Sequence, residues 1–134
     1  MPAPTPLIST IAATFWSGLA EGIIRAQHCP ECDSWIHYPR AFCPGCGARE
    51  LQWRDVAGAG TLHSFAVANV ATSPDFSDQV PQVLAIVELD CGIRLATTIV
   101  DASADRLAVG ATVDAVFDDA TFEGLSVLRF RLRD

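Results

Sequence analysis

The sequence predicts a mostly β protein that begins with one helix, continues as a small ribbon of paired cysteines and ends as a five-stranded OB-fold barrel. Two cysteine pairs, at residues 29–32 and 43–46, predict the ribbon. From residue 51 onward, alternating apolar and polar runs separated by turn residues predict successive strands whose order is typical of a small closed barrel. The expected boundaries are residues 1–22 for a tail and helix, 23–50 for the ribbon and 51–134 for the barrel.

Length and composition place the chain among soluble globular proteins. Its 134 residues, half of them hydrophobic and 19% charged, suffice for one compact domain or two small modules that share a core. No apolar run approaches the roughly 20 residues of a membrane-spanning helix, and the first residues lack the features of a signal peptide. We therefore expect a cytoplasmic protein without a membrane partner, in which five cysteines favour metal ligation over disulfides.

The charge balance argues against one common function of OB-fold barrels. The net charge is −7, and all nine basic side chains are arginines. Residues 1–55 carry four arginines against five acids, whereas residues 56–134 carry five arginines against eleven acids. Because the second part would repel a polyphosphate backbone, we expect no nucleic-acid partner. A single-stranded nucleic-acid-binding module is kept as an alternative function.

A helix is predicted after the proline-rich N-terminal tail. Ser9 or Thr10 can cap it, it runs to about Ala20, and Gly22 is the expected C-terminal stop. Apolar residues recur at four-residue spacing and form a broad face that includes two neighbouring aromatics, Phe15 and Trp16. Such aromatics are either core residues or anchors for a partner protein. We expect Phe15 and Trp16 to contact a partner, because the helix precedes the ribbon and can lie outside the barrel.

Four cysteines with regular spacing are the clearest chemical signal in the chain. A two-residue gap within each pair lets both sulfurs reach one ion, and two pairs complete a tetrahedral zinc site with Zn–S bonds of about 2.3 Å. Each pair has a proline after its first cysteine, which presets the turn, and Gly47 is expected to donate an amide to sulfur. The expected zinc ligands are Cys29, Cys32, Cys43 and Cys46.

Four protein ligands leave no position for water, so the predicted zinc is structural rather than catalytic. Such a site contributes about 10–16 kcal/mol to folding at neutral pH. Four thiolates can also hold a single iron ion, and a small iron–thiolate electron carrier is therefore a second alternative function.

The strand pattern fills the rest of the chain. Two short strands, at 23–27 and 35–38, flank the first cysteine pair. Gly58 and Gly60 mark a bend in a long first barrel strand that begins at residue 51. Two connections, at 71–80 and 101–111, are the long loops, and the second contains one helical turn. The predicted strands after the ribbon are 51–56, 60–70, 82–90, 93–100, 112–118 and 125–132.

No set of residues predicts a catalytic site. Of the three histidines, His63 lies on a predicted strand with no acid nearby, whereas His28 and His37 flank the cysteine pairs, where a surface role or a role beside the metal ligands is expected. Cys91 lies in the Asp90-Cys91-Gly92 hairpin turn, where its neighbours include the acids Glu88 and Asp90 rather than the helix N-terminus or adjacent cation that activates a thiol. We interpret these residues as structural or solvent-exposed.

Taken together, these motifs resemble a family that joins an N-terminal helix and a rubredoxin-like zinc ribbon to an OB fold. The similarity extends from about Phe15 to Phe130 and combines the four cysteines with a specific Val-Glu-Leu-Asp-x-Gly hairpin. Two features depart from the family: Cys91 stands where an acid is common, and the final strand lacks a Pro-Val-Phe-Arg-Pro-like ending. Other shared landmarks are Phe15-Trp16, the segment 35–40, Trp53, Gly58-x-Gly60 with Ser64, the segment 81–95 and Val109-Gly110.

The resemblance implies a non-catalytic accessory subunit of a thiolase-fold acyl-CoA enzyme. Such enzymes include thiolases, related acyltransferases and thiolase-like aldolases of steroid side-chain degradation. The subunit is expected to stabilise the enzyme and to help form the channel for the CoA thioester at the shared interface. Arg40 and Arg54, near the junction of ribbon and barrel, are the candidates for binding CoA phosphates.

Overall fold

The computed structural model describes residues 6–71 and 73–133, so most of the predicted N-terminal tail lies outside the described residues. Helix α1 spans Ala13–Ala20. A helix capped by Ser9 would begin at residue 10, so the observed helix begins three residues later than the earliest predicted start. The Ser9 hydroxyl accepts the N–H of Ala12 at 3.3 Å, but it caps a turn that precedes the helix. No helix among the described residues is long and apolar enough to cross a bilayer.

Gly22 ends α1 as predicted, through a Schellman motif. Its φ is +76°, a value that suits glycine because other side chains are strained there. The N–H of Gly22 donates to the carbonyl of Leu19 at 3.1 Å, and that of Ile23 donates to the carbonyl of Gly18 at 2.8 Å. These two bonds satisfy carbonyls that the last helical turn leaves free, and they direct the chain into the first strand.

Three antiparallel strands form the ribbon sheet: β1 (Ile24–His28), β2 (Trp35–Ile36) and β3 (Gln52–Val56), in the order β2-β1-β3. The placement of the strand at 51–56 in the barrel was therefore wrong. All five residues of β3 pair with β1, from Gln52 opposite His28 to Val56 opposite Ile24. An alternating pattern identifies a strand but not its neighbour, which is why the sequence did not reveal this pairing.

Five further strands close into the predicted barrel. Their order is β4-β5-β6-β8-β7, with β7 pairing back to β4. Only the contact between β6 and β8 is parallel, and the other pairings are antiparallel. This is the connectivity of an OB fold. The strands are β4 (Ala59–Ala68), β5 (Gln82–Leu89), β6 (Arg94–Ile99), β7 (Thr112–Phe122) and β8 (Leu125–Leu132).

Gly60 lies where β4 pairs with both of its neighbours. It stands opposite Leu89 of β5 and Val113 of β7. A Cβ atom at this position would lie 2.6 Å from the carbonyl oxygen of Glu88, too close for any side chain. A register shift between Leu62 and Ser64 then bends the strand, as expected for a strand that changes neighbours along a small barrel.

The two long connections contain short 3-10 turns, Pro74–Gln79 and Ala104–Arg106. Strand β7 continues four residues beyond its predicted end at residue 118, across a second irregularity. There the Asp118 carboxylate accepts the N–H groups of Ala120 and Thr121 at 2.9 and 3.2 Å. The carboxylate thus replaces the ladder bonds that the irregular backbone lacks. Partial burial opposes its ionisation, but the Thr121 hydroxyl, the two N–H groups and Arg129 together lower its pKa below the usual value.

Helix α1 packs against both the ribbon strand β1 and the barrel strand β8. Its residues Phe15 and Leu19 join one apolar core with barrel side chains that include Leu62, Val113 and Phe130. The helix therefore lies against the barrel and connects it to the ribbon, rather than standing outside it.

Candidate metal centre and partner surface

The four predicted ligand cysteines meet at one point of the ribbon. All four sulfurs lie within 4.8 Å of one another, with Cys29 Sγ 3.6 Å from Cys46 Sγ and Cys32 Sγ 3.6 Å from Cys43 Sγ. Four sulfurs placed tetrahedrally at about 2.3 Å from zinc stand about 3.8 Å apart. The observed spacing fits one tetrahedral zinc ion, and these side chains would hold it with a closed coordination sphere.

The two cysteine pairs are built alike. The carbonyl of Cys29 accepts the N–H of Asp33 at 2.8 Å, and the carbonyl of Cys43 accepts the N–H of Gly47 at 2.9 Å. Asp33 and Gly47 both adopt left-handed backbone, with φ of 62° and 78°. The amide of Gly45 is directed at Cys43 Sγ at 3.4 Å, and those of Ser34 and Ala48 bond Cys32 and Cys46. The amide of Gly47 is used on the Cys43 carbonyl, so the prediction that Gly47 donates to sulfur was wrong. Gly47 serves instead to turn the backbone.

Hydrogen bonds divide the thiols into more and less acidic members. Bonding to Ser34 is the main reason that the pKa of Cys32 falls to about 6. The backbone N–H of Ala48 lowers the pKa of Cys46, but the neighbouring thiol of Cys29 and burial together raise it to about 12. Thiolates this close repel one another, and a bound dication offsets that repulsion, which is the electrostatic role expected for zinc here.

His28 anchors the first cysteine pair from the sheet. Its side chain is buried, packs against Trp35 with ring centroids 4.8 Å apart, and places Nε2 2.7 Å from Asp33 Oδ1. Asp33 occupies the left-handed turn position described above. The contact therefore holds the turn that presents Cys29 and Cys32, and it gives His28 a structural rather than a catalytic position.

Phe15 and Trp16 differ in what they can offer to a partner. Phe15 is 5% exposed and packs against His37 and Tyr38, with ring centroids 5.2 and 6.2 Å apart, so little of its surface is available for contact. Trp16 is half-buried at the edge of the same cluster, and its indole Nε1–H donates to Tyr38 Oη at 3.0 Å. A partner contact at Trp16 stays a prediction, whereas Phe15 belongs mainly to the core of this chain.

His37 lies in the same aromatic cluster. Burial lowers its pKa to about 4, so the ring is neutral near pH 7, and its Nδ1 has no hydrogen-bond partner within the described part of the chain. His63 is exposed on β4. Among residues 6–71 and 73–133 we find no histidine placed against a nucleophile in the way that acyl transfer requires.

The two arginines proposed to bind CoA are both exposed but lie on different sides of the ribbon sheet. Arg40 follows the edge strand β2, and its backbone is held by Gln27, whose amide group bonds both the N–H and the carbonyl of Arg40 at 2.7 and 2.9 Å. Arg54 lies on the opposite edge strand β3, where it donates to Gln52 at 2.9 Å. Their role toward CoA stays a prediction.

Two family models match the chain in succession. Residues 16–52 match the ChsH2 rubredoxin-like zinc ribbon domain, and residues 53–118 match the ChsH2 C-terminal OB-fold domain. The chain belongs to the ChsH2 (DUF35) family. Its zinc ribbon, OB fold and four-cysteine metal site are thus those that the sequence predicted.

Relatives of this ChsH2-family chain carry two kinds of name. A DUF35 domain-containing scaffold protein of Methanothermobacter thermautotrophicus is 36% identical over 75% of this chain and 76% of its own length. A probable enoyl-CoA hydratase alpha subunit of Thermomonospora curvata is 32% identical over 82% of this chain but only 34% of its own length. The chain therefore spans about a third of the hydratase subunit that it matches.

A solved structure described as Ltp2-ChsH2(DUF35) aldolase superposes with a TM-score of 0.85. It is 29% identical to this ChsH2-family chain and covers 96% of it and 98% of its own length. A DUF35 protein of unknown function from Sulfolobus solfataricus shares the fold at a TM-score of 0.61 and 16% identity.

Proposed function

We propose that this chain is a non-catalytic accessory subunit that binds a thiolase-fold acyl-CoA enzyme, stabilises it and borders the channel for its CoA thioester. The observation that carries the proposal is the match, over nearly the whole chain, to the DUF35 chain of an aldolase formed with Ltp2. The scaffold names of two archaeal relatives, 36% and 35% identical, support the same role. The hydratase names belong to longer proteins, and their activity is not carried over.

The metal site supports an accessory role. A four-thiolate zinc has no open position at which to activate water or polarise a carbonyl, so its contribution is to hold the ribbon in shape. Zinc bound by this chain's four cysteines would therefore supply folding free energy and no chemistry. The reducing cytoplasm, where thiolates remain available to zinc, is the compartment that suits this function.

The chain purified alone is expected to turn over no acyl-CoA, and to co-purify with a thiolase-fold enzyme from its own organism. The test is affinity purification of the tagged chain at its native level, identification of bound proteins by mass spectrometry, and thioester assays on the free chain. The tag alone is the control. Thioester turnover by the free chain, or recovery of a hydratase in place of a thiolase-fold enzyme, would contradict the proposal.

The nucleic-acid alternative makes a different prediction. Because residues 56–134 carry five arginines against eleven acids, we expect no binding of single-stranded DNA or RNA at about 150 mM salt. Fluorescence anisotropy with a labelled oligonucleotide measures this directly. Micromolar affinity would favour the nucleic-acid-binding module instead.

A further inference from the structure

The outer surface of strands β4, β5 and β6 is uncharged and largely apolar at its centre. Outward-facing residues form two rows across the three strands, because Ile86 pairs with Ser64 and Ala96, while Leu84 pairs with Ala66 and Thr98. Thr98, at the edge of the second row, is buried, and the Arg129 guanidinium donates to its hydroxyl at 3.0 Å. Leu84 is 46% exposed although it stands in the middle of the sheet. We call this surface the β4–β6 face, defined by Ser64, Ala66, Leu84, Ile86, Ala96 and Thr98.

The sequence of β5 also indicates that this face is normally covered. Residues 83–87, Val-Leu-Ala-Ile-Val, are continuously apolar, whereas a strand with one wet face alternates apolar and polar residues. Val83, Ala85 and Val87 fill the barrel core. The two remaining apolar side chains, Leu84 and Ile86, point away from that core. Apolar residues on both sides are typical of a strand that is buried on both faces.

Concave surfaces extend the β4–β6 face at both ends. A hollow of about 420 Å³ lies on the face itself and shares Ala96 with a groove of about 610 Å³ that reaches Trp16 and Tyr38. On the other side, Leu84 also lines a hollow of about 210 Å³ together with Val70, Phe76 and Phe122. Apolar side chains thus extend from α1 to the loops that precede β5 and follow β7, with Arg94 and Arg129 along the border of the groove.

An acidic rim borders the loop end of this surface. A cavity of about 450 Å³ there is lined by four aspartates and one arginine. That arginine, Arg129, is paired with Asp118 at 3.3 Å, and Asp101 is paired with Arg131 at 3.6 Å, so Asp75 and Asp78 are the two aspartates with which neither arginine pairs. The exposed acids Asp119 and Glu123 lie on the same β7–β8 end. The four aspartates of the cavity are Asp75, Asp78, Asp101 and Asp118.

We propose that the β4–β6 face is the surface that docks on the partner acyl-CoA enzyme, and that the enzyme presents an apolar patch with basic residues along one border. This inference rests on the proposed function. The second and third strands of an OB barrel are a common binding surface, but a nucleic acid needs exposed cations and stacking aromatics that the six residues of the face do not supply. A second copy of the chain is disfavoured because each copy carries a net charge of −7.

The test compares two substitutions of exposed apolar residues by glutamate. Leu84→Glu places a charge in the centre of the face, while Val109→Glu, at a residue that is 69% exposed on the connection before β7, is the matched control. Binding is measured by calorimetry against the thiolase-fold enzyme recovered with the wild-type chain. We expect Leu84→Glu to weaken binding at least about 30-fold, as for an interface hot spot, and Val109→Glu to change it less than about 2-fold.

The acidic rim has its own readout. Asp78→Arg should lower the association rate constant several-fold at low salt, and the wild-type affinity should fall as salt rises, because rim charges act mainly on the rate of encounter. A wild-type affinity that does not depend on salt would overturn the basic border assigned to the enzyme.

The outcomes separate the docking surface from the proposed function. If the wild-type chain recovers no thiolase-fold enzyme, both fail. If it binds the enzyme and a folded Leu84→Glu binds equally well, the docking surface is wrong and the function stands. Circular dichroism and zinc content show whether Leu84→Glu is folded. If it is not, Ser64→Arg on the same face is used in its place, and the same two outcomes apply. A wild-type dimer in sedimentation that Leu84→Glu dissociates would make a second copy the occupant.

Discussion

Replacing Cys43 by serine is expected to abolish zinc binding and unfold the ribbon. Zinc content should fall from about one ion per chain to near zero, because three sulfurs cannot complete the tetrahedral site. The metal-binding end of the ribbon has only a small apolar cluster of its own among the described residues, which consists of Cys29, Ile36 and Cys43, with Ala48 and Leu51 packed against it. The metal is therefore expected to supply about 10–16 kcal/mol of the free energy that folds this part. Elemental analysis of protein prepared without added metal, together with circular dichroism, measures both effects.

Cys91→Ser is the matched control for this substitution. Cys91 is half-exposed in the β5–β6 hairpin and takes no part in the four-cysteine cluster, so its loss should leave the zinc content unchanged. Retention of zinc by Cys43→Ser would contradict the four-ligand site. A major excess of iron, visible as colour in the wild-type protein, would instead favour the electron-carrier alternative.

Phe130→Ala should cost about 3–5 kcal/mol in the free energy of unfolding, the usual range for removing a buried phenylalanine ring. Phe130 is fully buried and lies at the parallel contact that closes the barrel. Its carbonyl accepts the N–H of Val100 at 2.8 Å, and its backbone also pairs with β7. Phe130 therefore lies where β6, β7 and β8 meet. The surrounding core is closely packed by the closed sheet and by helix α1, so it can collapse only partly into the space that the ring leaves. Denaturant titration followed by circular dichroism measures the loss.

Phe42→Ala provides the comparison, because the Phe42 ring is 48% exposed on the ribbon. It should cost less than about 1 kcal/mol, as most surface substitutions do. Zinc content is checked in both variants, so that a loss of metal is not mistaken for a loss of packing. Equal stability of the two variants would mean that Phe130 is not the residue on which barrel closure depends.

Local chemistry explains why the metal site and the barrel could be predicted from the sequence. The spacing within each cysteine pair determines which sulfurs can meet, and Gly22 requires only its own backbone conformation to end the helix. The strands of the barrel can be predicted because apolar and polar residues alternate within each segment, and this alternation does not depend on the rest of the chain. The wrong prediction that the Gly47 amide donates to sulfur also concerned local structure. Gly45 and Gly47 belong to the same turn, and the sequence does not show which of their amides faces the sulfur.

Long-range pairing explains what could not be predicted. The pattern of β3 is equally compatible with a barrel strand and a ribbon strand, and only the partner β1 decides between them. Likewise, an aromatic residue at helical spacing is compatible with a core and with an interface. Phe15 proved to be core because α1 lies across β8, a strand more than a hundred residues later in the chain.

The position of α1 between the ribbon and the barrel also limits how these parts can be joined to another polypeptide. A fragment cut before β3 would leave β1 with an open edge, and a barrel released from the ribbon would expose the apolar side chains that now pack against Phe15 and Leu19. Transfer of either half alone would therefore produce an insoluble product, whereas joint transfer preserves every contact. The match to the probable enoyl-CoA hydratase alpha subunit agrees with this expectation, because it extends over 82% of the chain, more than the barrel alone contains.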